Sequence, residues 1–145
     1  MESDTLKGSS LKFENHRKLH TIAVKFHLGL SALVVILAAI VYGGAPKTLL
    51  PIFFDFRLEN LELKNIFRGI MGLYIAFACY WLWALKQPKY WKGATLSNIL
   101  FMGGLALGRL LSLIIDGVSV QYTIGMLLEF FMMVWGIYNL KLLKV

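Results

Sequence analysis

Residues Gly103 to Gly117 read GGLALGRLLSLIIDG. Glycine, leucine, isoleucine and alanine make up most of the stretch, as in a helix buried in hydrocarbon, yet Arg109 stands in its middle. A charge deep in a bilayer costs at least ~2.5–3.5 kcal/mol even on permissive scales, so this guanidinium needs a counter-charge at its own depth. Whether the rest of the chain supplies apolar neighbours and such a carboxylate decides the fold.

Composition supplies the neighbours. Of 145 residues 58% are hydrophobic and 16% charged, with mean hydropathy +0.67, too apolar for a water-soluble domain of this length to cover itself. The single cysteine, Cys79, rules out an intrachain disulfide and metal sites built on cysteine pairs. A net charge of +7 would suggest nucleic acid in a soluble protein; here it fits loops lying against an anionic membrane face.

A hydrocarbon-spanning helix needs roughly 20 mainly apolar residues. Segments at about 21–43, 65–85, 94–115 and 122–140 qualify, and all three prolines, Pro46, Pro51 and Pro88, fall between them. The sequence therefore predicts an all-α integral membrane bundle of four transmembrane helices, one domain over 21–145 behind a polar tail at 1–20. Lys7, Lys12, Arg17 and Lys18 precede the first helix, Lys86, Lys89 and Lys92 fill the second loop, and Lys141 and Lys144 close the chain. Against these the first loop has only Lys47, Arg57 and Lys64, and the third loop has none, which places both termini in the cytoplasm.

Glu2, Asp4 and Glu14 and a long following apolar segment argue against a cleavable signal, so the tail reads as a cytoplasmic extension of the first helix. The first loop, LLPIFFDFRLENLELKN, sets Phe53, Phe54 and Phe56 beside charges. That composition suits an aromatic segment at the membrane surface or, equally, a connector folded over the bundle's outer end. Asn60 is positioned to cap the second helix, with Glu62 in the acidic first turn. Tyr90 and Trp91 mark the inner interface.

The carboxylate comes from helix geometry. At about 100° per residue, Asn98, Met102, Leu105, Arg109, Ser112 and Asp116 share one face of the third helix. Arg109 lies seven residues before Asp116, or ~10 Å from the helix end, and Glu129 lies seven residues after Tyr122 on the returning helix, at the same depth. Arg68 of the second helix is expected to join them, with Asp116 and Tyr122 above, as a cluster of net charge +1 without Asp116 and neutral with it. Gly104 and Gly108, and on the second helix Gly69, Gly72 and Ala76, form small-residue edges expected to pack against neighbouring helices.

FRGIMGLY (Phe67 to Tyr74), GGLALGRLLSLIIDG and the later Glu129 in MLLEF together resemble a family of small bacterial four-helix inner-membrane proteins known as domain of unknown function 4345. The likeness covers the second to fourth helices well and the first loosely. It implies a multi-pass four-helix fold in the bacterial inner membrane and carries no activity with it.

Nothing in the sequence identifies a reaction. There is no phosphate-binding glycine loop, no zinc-protease helix, and no serine or cysteine with an evident base at its depth. The Arg68, Arg109 and Glu129 cluster reads as an internal ion-pair network fixing helix register, as a pocket for an anionic or polar headgroup, or as a proton or substrate relay. His16, His20 and His27 can share one face, a spacing open to metal or haem, but with no partnering ligands they read as interfacial histidines. Lys25 can snorkel to the inner end, and Cys79 and the methionines, Met126, Met132 and Met133 among them, read as packing residues. No cofactor or metal is expected, a bound lipid or quinone is the open option, and the tail lacks the pattern of a nucleic-acid binder. The leading expectation is a non-catalytic accessory or scaffold subunit that associates with itself or a larger membrane complex. The alternatives are a binder or carrier of a small amphiphile such as a lipid or quinone and, least supported, an enzyme acting on one.

Overall fold

In the computed structural model the backbone is described for residues 2–54 and 58–143, with side chains from Leu19 onward except His20. The expectations placed on the side chains of His16 and His20, and on Phe56, Arg57 and Lys144, lie outside the described residues.

Every regular element among the described residues is a helix, and there are no strands among them. Helix α1 spans Glu2–Ala39 and continues into a π-helical turn, Ile40–Gly44. A short helix α2, Pro46–Phe53, leads across to α3, Leu61–Ala84; a 3-10 turn, Pro88–Tyr90, opens α4, Trp91–Ile115, and α5 runs Val120–Leu142. The polar tail thus extends the first helix, as its sequence suggested. Four of these helices are long and apolar enough to cross a membrane. The first loop is not a plain connector: proline at the first helical position and a Leu50 that turns inward make half of it helix α2.

The ends follow local chemistry. Asn60 Oδ1 accepts from the backbone N–H of Glu62 at 2.7 Å and of Leu63 at 3.4 Å, so α3 starts at Leu61, four residues ahead of the apolar stretch at 65. Between α4 and α5 the chain reverses through Gly117, whose φ of +102° suits a residue without Cβ. The π turn brings Gly43 against α3, where a Cβ would collide with Met71 and stand 3.0 Å from the Phe67 carbonyl oxygen.

Helices α1 and α3 form one close hairpin and α4 and α5 the other, with α1 also touching α4 and α5. Val24, Leu28, Ala32, Val35 and Ala39 form the buried stripe of α1, facing Tyr74, Ala78, Trp81 and Ala84 of α3. At the end away from α2, α3 and α4 are locked: Trp81 Nε1 donates to Ser97 Oγ at 3.0 Å, and Phe101 lies 5.0–5.4 Å from the rings of Tyr74, Phe77 and Trp81. Toward the α2 end the α3–α4 seam opens, and that opening positions the site. Outward, each long helix presents large apolar side chains, among them Leu37, Leu73, Leu100, Leu107, Ile114, Leu128 and Phe131.

Candidate functional site

Arg109 projects from α4 toward α5, where Tyr122, Gly125 and Glu129 stand at intervals of three and four on one helical face. Its Nε lies 2.9 Å from Glu129 Oε2, with the two side chains 18% and 13% exposed. The N–H is bent away from that oxygen, so the contact is chiefly coulombic. Nη2 donates to the Tyr42 hydroxyl at 3.3 Å, and the guanidinium carbon sits 5.2 Å from the centre of the Tyr122 ring, over its face. Gly125 makes room for the group: a Cβ there would be 3.3 Å from Nη1.

Rings hold these partners. Tyr42 is 6.0 Å from Phe54, 5.8 Å from Phe67 and 6.0 Å from Tyr74, and Phe54 stacks on Tyr122 at 4.9 Å. Beside this assembly lies a cavity of about 400 Å³ between α3, α4 and α5. Phe67, Ile70 and Tyr74 form its α3 wall, Tyr122 and Met126 its α5 wall, and Gly104, Gly108 and Arg109 the α4 side between them. Gly104, Gly108 and Ser112 are exposed, so the cavity opens along α4. A chamber of this size, mostly apolar with a few converging polar groups, is the usual form of a small-molecule site.

The structure joins Arg109, Glu129 and Tyr122 as their spacing suggested. Ser112 lines the cavity, and its hydroxyl donates to Asp116 Oδ2 at 2.8 Å, which leaves Asp116 on the exposed rim and away from the guanidinium. Asn98 is fully buried, but about three helical turns from Arg109. Arg68 does not converge. It is exposed, with no hydrogen bond or ion pair among the described residues, because α3 turns Phe67, Ile70 and Tyr74 inward and Arg68 lies a third of a turn away. The buried pair is therefore electrically balanced.

The small-residue edges also differ from expectation. Gly69, Gly72, Gly104 and Gly108 have open space where a Cβ would go, so within one chain none of them serves close helix packing. Close approach happens instead at Gly43, at Gly103 (Met133 Sδ at 2.9 Å) and at Gly136 (Ile99 Cγ1 at 2.8 Å). Cys79 is exposed rather than packed. His27 is not interfacial: it is fully buried, its Nε2 lies 3.0 Å from the Met132 carbonyl oxygen, and its ring is 5.2 Å from Trp135. No group of three or more metal-ligating residues occurs among the described residues. With His27, the side chains of Ser31, Thr95, Asn98 and Asn139 are fully buried, and all five have a polar atom without a protein partner, Nδ1 in the case of His27.

Sequence reasoning missed Tyr42, Tyr74, Phe54 and Gly125. A tyrosine just before a Gly-Gly pair at a helix end was the available signal for Tyr42, and the spacing of Gly125 from Glu129 that for Gly125.

Residues 23–140 match the family model described as Domain of unknown function (DUF4345). The chain belongs to that family. The match spans Tyr42, Arg109, Tyr122 and Glu129 and leaves the whole polar tail outside it. No curated protein and no solved structure matches the chain.

Proposed function

We propose that this member of the family spans a membrane four times, both termini on the cytoplasmic side, and binds one small amphiphile in the cavity beside Arg109. Four long apolar helices and the outward-facing leucines, isoleucines and phenylalanines support insertion. The excess of lysine and arginine on the tail and second loop supports the orientation, and the bacterial inner membrane is the compartment that fits. The site then lies toward the periplasmic leaflet.

The observation that carries the binding reading is the chamber itself. It is walled by rings, bounded on one side by the arginine of a fixed ion pair, and open along two glycines whose missing side chains leave a path into the surrounding acyl chains. A purely structural salt bridge requires no such opening. Native mass spectrometry from mild detergent tests the reading: the wild-type protein is expected to retain a small molecule that Gly108→Leu loses. A Gly108→Leu protein that folds and retains the same molecule contradicts it.

One observation favours an association role, alone or beside binding. Gly69, Gly72 and Ala76 are exposed on α3, on the same side as the exposed Arg68. A second helix can approach closely along such an edge. The same spectra report copy number, and Gly69→Leu with Gly72→Leu is expected to shift any dimer to monomer.

A further inference from the structure

We infer that the ligand of this cavity carries an uncharged oxygen head, a carbonyl or hydroxyl, with a single apolar chain lying along Gly104 and Gly108. The inference rests on the binding reading above and names the chemistry of its ligand.

Charge excludes the more obvious guest. An arginine at the base of a cavity ordinarily suggests phosphate or carboxylate. Here Arg109 is already matched by Glu129 at 2.9 Å, and among the described lining residues Arg109 is the only charged one. Arg68, which would have given the site an excess positive charge, is exposed elsewhere on α3. An anion entering beside Arg109 therefore finds a cation whose charge Glu129, itself off the cavity lining, already offsets, so its attraction is opposed by the cost of taking its own charge into an apolar surround. A neutral oxygen meets no such opposition.

The donors point the same way. Ser112 donates to Asp116, Thr123 to the Ser119 carbonyl at 2.8 Å, and Ser119 to Gln121 at 3.4 Å, so these hydroxyl hydrogens are engaged. Tyr42 differs. Its oxygen accepts from Arg109 Nη2, which polarises the O–H, and no described residue accepts that hydrogen. A carbonyl or hydroxyl oxygen in the cavity completes the chain from Glu129 through Arg109 and Tyr42 to the ligand. The flat walls of Phe67, Tyr74 and Tyr122 confine the head. Gly104 and Gly108 have nothing within 4 Å of where a Cβ would stand, which gives the apolar chain a smooth floor.

The full-length protein in dodecyl maltoside tests this with probes of equal chain length: decylubiquinone and monodecanoin as neutral heads, decyl phosphate and decanoate as anions. Saturable stabilisation in a thermal-shift titration is read for each. At least one neutral probe is expected to bind roughly tenfold more tightly than either anion; which neutral probe prevails separates a quinone from an ester lipid. Tyr42→Phe is expected to weaken that probe by roughly five- to tenfold, the size of one net hydrogen bond, and Gly108→Leu to abolish its binding. Anions that bind as tightly as the neutral probes, and lose binding in Gly108→Leu, overturn the neutral head and leave the cavity reading standing. Binding that is indifferent to Gly108→Leu, or absent for all four probes, overturns the cavity reading itself.

Discussion

The Tyr42 hydroxyl accepts a 3.3 Å hydrogen bond from Arg109 Nη2, joining the two hairpins of the bundle across 67 residues of chain. Tyr42 sits in the π turn that ends the first helix, Arg109 two turns from the end of α4, and Glu129 binds the guanidinium from its other side. Three helices thus meet on one cation, and several consequences can be measured.

Removing one charge should hurt more than removing both. Arg109→Leu strands the Glu129 carboxylate in an apolar surround, with an expected loss of about 3–5 kcal/mol. Arg109→Leu with Glu129→Leu leaves no unpaired charge and should be the milder change in a thermal melt. Equal damage from the single and double variants argues against the pairing.

Glycine substitutions should divide by position. Gly136→Ala puts a methyl 2.8 Å from Ile99 Cγ1 and 3.1 Å from His27 Cε1, an overpacking expected to cost about 1–3 kcal/mol. Gly72→Ala meets nothing within 4 Å and should hold or raise the melting temperature of the monomer, since alanine favours a helix interior by about 1 kcal/mol. A melt in which both behave alike contradicts this packing.

Gly125→Val tests the room left for the guanidinium. Its Cβ would stand 3.3 Å from Nη1 and its branches closer still, so Arg109 must shift away from Glu129 and Tyr122. Destabilisation of about 1–2 kcal/mol is expected, and it should largely disappear when Arg109 is already leucine. Persistence of the full effect in that background means the valine clashes with something else.

Asn98→Leu makes the opposite kind of test. Both polar atoms of this fully buried amide lack a protein partner, so an apolar side chain of similar size should leave the melting temperature unchanged or raise it. A drop of several degrees would show that the amide is hydrogen-bonded after all.

Asn60→Ala removes the acceptor that holds the first turn of α3. The expected loss is about 1 kcal/mol, with faster hydrogen exchange confined to the backbone amides of Glu62 and Leu63. Unchanged exchange at those amides contradicts the cap.

The sequence by itself determined the helices and one contact between them. Long apolar runs must bury their backbone groups in helices, prolines mark the breaks, and the short α4–α5 turn fixes relative depth, which is why Arg109 and Glu129 could be paired by counting. Asn60 was legible for the same reason: a cap acts within three residues. Everything that depended on helix rotation against a non-adjacent partner was decided by tertiary packing. Arg68 lies at a suitable depth and still turns outward, because the aromatic face of α3 claims the interior; Gly104 and Gly108 look like packing glycines and instead line a chamber, because α3 and α4 part above Phe101. Tyr42 reaches Arg109 only because a π turn widens the end of α1 and Gly43 lets it press against α3. Spacing along one helix gives height and angle about its own axis, whereas which way that axis is turned toward its neighbours is set by the fit of all the side chains together.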